Sequence, residues 1–428
     1  MPHVRGGGAA PAAAGGGQGV RIGLISSRYP PESSPGAKRA SDLVGSLRGA
    51  GHQAVVMTQQ PNYPDPSAFE TCDERMTLER DGSDGTTTMR FRPRLAPKAR
   101  LVSRLISEAR FAWLTSRPST GVGDLDGLVA STPFIFNLAA ARTYRRPMWL
   151  DVRDLTWEYV HRFGATGRLK RAGASMLRSL SFSNLRAAVR VSTTTRRQRG
   201  YLIDGGLPAD KVIVVPNGVA RRVVDELLRR GRTRDEAGSN GGSGGPLRIV
   251  YAGLLGFPQG LSFLVESFGD LAPRDAELHL YGDGVDRSKL TAYCAQRGLR
   301  SVELHGHVDH DAYLDALVDA DVLVASLRPG AEAAMPSKIW EYMAAGKPIL
   351  FCGRGEAAEA IEDARAGLCV DYGDRSELQA KLGELLASEE RRRELGANGR
   401  RWVLERQVRE DINREWVREI EQAFGGGR

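Results

Sequence analysis

The chain has 428 residues, of which 41% are apolar, and carries 60 Lys and Arg against 52 Asp and Glu, a net charge of +8. That is enough chain and enough apolar content for about two domains with full cores. No window approaches the roughly 20 apolar residues a bilayer span needs, and Cys72, Cys294, Cys352 and Cys369 show neither CxxC nor metal-ligand spacing. The basic excess points to anionic partners: nucleic acid, an anionic membrane face or phosphorylated small molecules. Cys352 and Cys369 sit in apolar runs and are expected to be core thiols of a reducing compartment.

Residues 1–19 are mostly Gly, Ala and Pro and are expected to be a disordered tail, not a signal peptide. Residues 20–230 then alternate short apolar strands with helices. Arg21 to Ser26 reads as a strand, Ala37 to Gly49 as an amphipathic helix and Gln53 to Thr58 as a second strand. Further strands are expected at Gly127–Ser131, Met148–Val152, Ala187–Ser192 and Val212–Val215. Residues 231–246 contain a Gly/Ser-rich run and are expected to be a flexible linker. The alternation restarts in residues 247–410, with strands at Leu247–Gly253, Leu278–Gly282, Val302–Gly306, Asp321–Ser326 and Pro348–Cys352. Residues 411–428 form a C-terminal helix and tail, and Asp374 with Glu377 opens an earlier helix in the manner of a capping box. Such alternation implies two α/β domains with doubly wound parallel sheets, binding ligands at the carboxyl ends of strands.

Two segments are strongly basic. Residues 161–200 hold ten Lys/Arg and no acid, with Leu169, Met176, Leu177 and Leu180 at helical spacing. Residues 90–117 run from Arg90 to Arg117 with one acid, Glu108. They read either as solvated faces or as docking surfaces for anionic lipid or a phosphate-bearing acceptor. No nucleic-acid motif appears, and aromatics are not interleaved as stacking platforms.

The stretch 328–348 is the densest in candidate chemistry. Pro336 and Ser337 are expected to start a short helix, with the serine as cap, and Gly346 to stop it. Ser337 and Lys338 stand four and three residues before Glu341, so all three share a face. A helix mouth with free N–H groups, a cation and a carboxylate suits a ligand with phosphates at one end and vicinal hydroxyls at the other. Gly36 and the pair Gly253 and Gly256 follow strands and open helices, where backbone can approach a phosphate closely. The helix beginning near Gln259 is expected to aim its positive end into the cleft. Gly282 and Gly284 end a strand, and Arg153-Asp154 ends another.

The order of these pieces resembles a family 4 retaining glycosyltransferase of the two-domain GT-B type, particularly bacterial O-antigen and capsule enzymes related to fucosamine transferases. The matching residues are Tyr29-Pro-Pro-Glu32, Gly36-Ala-Lys-Arg39, Gly51-His52, Arg153-Asp154-Leu155, Val215-Pro-Asn-Gly-Val219, Tyr251-Ala-Gly253, Gln259-Gly260, Tyr281-Gly-Asp-Gly284, Gly306-His-Val308, Ala320-Asp321 and Pro336-Ser-Lys338 through Gly346. The resemblance implies two Rossmann-like domains facing a central cleft. It implies a nucleotide-diphosphate sugar donor, most commonly of uridine diphosphate, and a hydroxyl acceptor, either a lipid-linked glycan or polysaccharide precursor or a soluble acceptor. It assigns the diphosphate to Lys338, the ribose to Glu341, the base to main chain at Val308, and sugar or acceptor handling to Arg153 and Asp154. Where many relatives carry a glutamate eight residues before the second, this chain has Ala333, with Glu332 adjacent; either the loop shifts and Glu332 serves as the catalytic carboxylate, or that carboxylate is absent. Leu254 and Gln259 replace the usual Arg and Lys after the Tyr251-Ala-Gly253 strand, and Ala220 replaces an Asp. No cofactor and no metal are implied, and the place of action is expected to be the cytoplasm or the inner membrane face. The alternatives are a GT-B protein that binds nucleotide sugar without turnover, or a related reaction on the fold: epimerisation, cyclitol coupling or natural-product glycosylation.

Overall fold

The computed structural model describes residues 19–32, 34–62, 69, 76–80, 86–92, 101–116, 123–131, 135–155, 157, 168–236, 246–271, 276–332 and 334–425. The expected N-terminal tail lies almost wholly outside these residues, as do Cys72, Ala333 and part of each basic segment.

The first half runs β1 (Arg21–Ile25), α1 (Pro35–Gly49), β2 (Gln53–Gln59), β3 (Met76–Arg80), β4 (Thr87–Phe91), α2 (Leu101–Thr115), β5 (Gly127–Ser131), α3 (Ile135–Arg142), β6 (Met148–Val152), α4 (Arg168–Ala187), β7 (Arg190–Thr193), α5 (Arg196–Asp204) and β8 (Val212–Val214). Its eight strands lie in the order 3-4-2-1-5-6-7-8 and are parallel except for β3 against β4. The hairpin β3–β4 escapes the sequence reading because charged residues interrupt its alternation. Arg90 there is no part of a free basic surface: it bonds Glu79 at 2.8 Å and the Pro30 carbonyl at 2.7 Å. Helix α1 begins two residues before its expected start, where Ser34 accepts from the Ala37 N–H and Pro35 occupies the first turn. Its Ala37, Ala40, Leu43, Val44 and Leu47 are buried at the spacing of one helix face. In α4 the buried side is set by Ala174, Phe182 and Leu185, whereas Met176 is 73% exposed. The stripe expected through Met176 is therefore rotated from the true core face.

The second half continues with α6 (Arg221–Glu236), β9 (Leu247–Ala252), α7 (Leu261–Leu271), β10 (Ala276–Tyr281), α8 (Arg287–Arg297), β11 (Val302–Gly306), α9 (His310–Asp319), β12 (Val322–Ser326), α10 (Lys338–Ala345), β13 (Ile349–Cys352), α11 (Glu356–Asp363), β14 (Gly367–Val370), α12 (Arg375–Ala387), α13 (Glu389–Arg406) and α14 (Arg409–Gly425). The six strands are all parallel, in the order 11-10-9-12-13-14. Asp374 caps α12 by accepting from Glu377 N–H, but Glu377 returns its carboxylate to the Asp371 N–H rather than to the cap. Among the described residues no helix is long and apolar enough to cross a membrane.

The boundary expected at 231–246 needs correction. Residues 231–236 are the last turns of α6, and α6 already belongs to the second domain. Its Val223, Val224 and Leu227 share a core with Leu317, Trp340 and Met343. Arg230 bonds Asp311 and Asp315 of α9 at 2.6 and 2.9 Å. The chain crosses between domains at 215–219 and returns at 407–409, because α14 buries Trp416, Val417, Ile420 and Phe424 against Leu43, Leu47 and Trp149 of the first domain. The two crossings are bonded side by side, Val219 N–H to Gln407 O and Arg409 N–H to Val219 O, each at 2.8 Å. Composition marks where chain is solvated; a crossing between packed domains takes only a few residues and leaves little compositional trace.

One buried ion pair fastens the junction. Arg39 of α1 donates to both carboxylate oxygens of Asp151 on β6, at 3.1 and 3.0 Å, and to the Val215 carbonyl at 3.1 Å. Its guanidinium also lies 4.7 Å from the centre of the Trp416 ring. Burial pushes the Asp151 carboxyl up, but the Arg39 charge and hydrogen bonds, aided by Ser192, hold it below the usual range. Arg39→Met takes from that buried carboxylate its main cation, leaving Ser192 and the charge of Arg153, and we expect a loss of ~3–5 kcal/mol, read as a lower urea midpoint. Adding Asp151→Leu is expected to recover most of the loss.

Candidate functional site

Three loops at the carboxyl ends of β9, β10 and β11 are stitched together. Gly253 N–H bonds Tyr281 O at 2.8 Å, Leu255 N–H bonds Asp283 O at 2.9 Å, and Gly282 N–H bonds Gly306 O at 2.7 Å. A Cβ on Gly282 would lie 1.9 Å from the Gly253 carbonyl oxygen, and one on Gly253, at φ +146°, would lie 2.4 Å from Lys338 Nζ. Only bare backbone fits this rim.

Helix α10 points at the same rim. Its Tyr342 hydroxyl accepts from Ala252 N–H at 2.8 Å and donates to Ala252 O at 3.1 Å, pinning the helix to β9. Ser337 is already in helical conformation, exposed, and caps nothing with its side chain. The expected serine cap is therefore absent. The turn starts earlier instead, with Ile339 N–H bonded to Pro336 O at 3.1 Å.

Lys338 donates to the Tyr251 hydroxyl at 2.6 Å and lies 3.8 Å from that ring's centre. Burial pulls its pKa down to about 7, against the raising effect of Glu341. Tyr251 in turn donates to Leu254 O at 2.6 Å, and burial keeps its phenol neutral. One turn on, Glu341 accepts a short hydrogen bond on Oε2 from Tyr313 of α9.

The first domain supplies the facing wall. Lys38, in the first turn of α1 beside Gly36, has its pKa lowered by burial and by Arg409 and Arg222, and raised by Glu341 across the gap. The Lys38 ammonium thus feels a carboxylate of the other domain. Gly36 has only ordinary contact around it; the nearest atom to a Cβ there would be Arg28 Cβ at 3.5 Å. Arg153 and Asp154 follow β6. Burial lowers the Arg153 pKa to about 10, and its guanidinium lies 3.5 Å from Asn217 Oδ1. Burial between the walls pushes the Asp154 carboxyl up while Arg153 pulls it down. Asp154 still reaches solvent, and water tempers both effects.

Gln259 ends a short 3-10 turn, Phe257–Gln259, rather than opening a helix; α7 starts at Leu261. Its Oε1 is buried without a hydrogen-bond partner, and Gly256 lies against it. Glu332 accepts from Gly330 N–H at 2.8 Å and gives its carbonyl to Glu356 N–H at 3.0 Å, so it shapes its own loop. Val308 is half-buried just past β11. Glu356 also ties the domains, accepting from the N–H groups of Arg196 and Arg197 at 2.8 and 3.0 Å. A surface hollow at the opposite end of α10 is arginine-lined, but Arg400 there bonds Ala345 O and Arg392 bonds Leu385 O, so both serve helix ends.

Lys38, Tyr251 and Tyr313 are the participants that residue-by-residue reading left without a role. Lys38 and Tyr251 sit inside the quoted motifs; nothing local marks Tyr313.

Residues 36–218 match the family described as glycosyl transferase 4-like domain, and residues 246–388 match glycosyl transferases group 1. The chain is 25% identical over 345 residues to WcaI of Escherichia coli K12, named as a colanic acid biosynthesis glycosyl transferase, covering 76% of this chain and 82% of that one. It is 25% identical over 401 residues to the GDP-mannose-dependent alpha-mannosyltransferase of Mycolicibacterium smegmatis, covering 90% and 93%. The crystal structure of Anabaena HepE in complex with UDP-glucose superposes with a TM-score of 0.65 at 16% identity, covering 94% of this chain and all of that one.

A lysine with a pKa near 7 is charged below that pH and neutral above it. Affinity for uridine diphosphate is therefore expected to fall as pH rises from about 6.5 to 8.5, measured by calorimetry. In Lys338→Arg, whose guanidinium stays charged, that part of the fall is expected to vanish.

Proposed function

Because the chain belongs to the family 4 glycosyltransferases of GT-B fold, we propose that it moves a sugar from a nucleoside-diphosphate donor to a hydroxyl acceptor, with retention of anomeric configuration. The observation that carries this reading is the corner formed by Lys338, Gly253 and Glu341, faced by Lys38 from the other domain. Lys338 would meet the diphosphate, together with the first N–H groups and dipole of α10. Glu341, with Oε2 steadied by Tyr313, would take the ribose hydroxyls. Backbone at Gly36, Gly253 and Gly282 would approach the phosphates, and main chain at Val308 the base.

As the bond from anomeric carbon to phosphate oxygen breaks, charge gathers on the leaving diphosphate. The cations Lys338 and Lys38 stabilise that charge where it develops. The acceptor hydroxyl attacks the same face, its proton passing to the leaving phosphate, with Asp154 and Arg153 orienting acceptor or sugar. On this reading neither a metal nor a side-chain nucleophile takes part. Uridine is the favoured base, supported by the fold shared with HepE in its UDP-glucose complex; the relative named for GDP-mannose makes guanosine the base to test against it.

WcaI, named for colanic acid biosynthesis, supports a polysaccharide precursor as acceptor. A lipid-linked acceptor at the inner membrane face suits α4, which exposes both Met176 and Arg171.

Transfer assayed across uridine and guanosine diphosphate sugars tests the assignment. Lys338→Ala and Glu341→Gln are each expected to lower kcat/KM by about 100-fold or more. Wild-type rates in both variants would remove the site, and donor binding without product in the parent would remove the transferase reading.

A further inference from the structure

Away from the cleft rim, the edge strand of the second sheet and its neighbour carry the same tripeptide, Glu303-Leu-His305 on β11 and Glu277-Leu-His279 on β10. The strands are parallel with His279 opposite Glu303. Alternate residues share a face, so the repeat stacks two imidazoles and two carboxylates on one side of the sheet edge. His279 Nδ1 lies 3.0 Å from His305 Nε2 and 3.4 Å from Glu303 Oε2; His305 Nε2 lies 3.6 Å from the same oxygen.

These three atoms form a triangle whose edges average close to what one small cation requires. A tetrahedral ion with bonds of ~2.0–2.1 Å holds each pair of its ligands ~3.3–3.4 Å apart. Two imidazoles and one carboxylate are the donor set of zinc-class ions rather than of magnesium or calcium. The surroundings fit the same purpose. Glu277 Oε2 lies 3.5 Å from the other ring nitrogen of His279, the place where metal-bound histidines keep a carboxylate. That nitrogen is buried and makes no hydrogen bond of ordinary length. Tyr281 stacks on His305 at 4.1 Å and 7°, and Arg248 holds the Tyr281 hydroxyl at 3.1 Å, fixing the ring. The His279 side chain is 6% exposed, His305 24% and Glu303 64%. The buried rings are therefore preset, and an ion enters from the Glu303 side, where water can fill the fourth position. Two carboxylates, Glu277 and Glu303, and one guanidinium, that of Arg248, act on His279.

We propose that His279, His305 and Glu303 form a binding site for one divalent zinc-class ion, distinct from the transfer site, that clamps edge strand β11 to β10. The clamp would steady the strand whose end carries Gly306 and, beyond it, Val308.

The test uses the full chain, freed of any affinity tag and stripped with chelator, then titrated with Co2+ and back-titrated with Zn2+. One equivalent of Co2+ with the visible spectrum of tetrahedral coordination, displaced by one equivalent of Zn2+, is the expected result. Saturating Zn2+ is also expected to raise Tm, since the ion binds only the folded pair of strands. Both signals are expected to be lost in His305→Ala and in Glu303→Gln. The second variant changes an exposed side chain and keeps both rings, so it serves if the first fails to fold. Absence of stoichiometric Co2+ binding in the parent chain, or equal binding in Glu303→Gln, would overturn the proposal.

Discussion

The Arg39 guanidinium ties together parts of the chain that also meet in the apolar core around Leu43, Trp149, Val215 and Trp416. It touches the Asp151 carboxylate, the carbonyls of Val215 and Pro216, Asn217 Oδ1 and the face of Trp416. From the first helix it reaches partners on a central strand, the outward crossing and the returning helix. A planar cation with five donors can serve that many acceptors at once; a lysine could not. Because the pair is buried, its members cannot fall back on water, and the cost of separating them is what fixes the junction. Arg39 also stands one residue from Lys38, so the same turn that secures the junction presents a cation to the other domain.

The donor corner is built mostly from backbone and from side chains that restrain one another. Tyr342 sets the height of α10 on β9, Tyr251 takes the Lys338 ammonium, and Tyr313 steadies Glu341. Burying an ammonium with only a phenol and a carboxylate a turn away is costly, which is why its pKa lies near 7. On the proposed reading, an incoming diphosphate would return the compensation that water would have given. The departures from the family pattern at Leu254 and Gln259 make this corner depend more heavily on Lys338, and the structure offers Lys38 as a cation from the facing wall.

The local backbone around the proposed site was legible because short motifs report local backbone demands. Gly253 and Gly282 are glycines since a Cβ would strike Lys338 or the neighbouring loop, and a Pro336-Ser337 start with Gly346 as stop defines a helix. The serine cap failed because the turn begins at Pro336 and has already made Ser337 helical. The helix expected near Gln259 begins at Leu261, because Gly260 takes a left-handed conformation and resets the chain before α7. The repeated Glu-Leu-His was equally visible, but its meaning depended on register: one strand's histidine had to lie opposite the other's glutamate.

The amino-acid sequence determined the alternation of strands and helices, the two parallel sheets and the Lys338–Glu341 pair, because each rests on spacing within a few residues. Tertiary structure alone decided where the chain crosses between domains. Val223 and Leu227, or Trp416 and Ile420, are apolar stripes that fit any core, and only packing assigns the first pair to the second domain and the last helix to the first. It also placed Lys38 within electrostatic reach of Glu341, since partners about three hundred residues apart leave no mark on either local sequence.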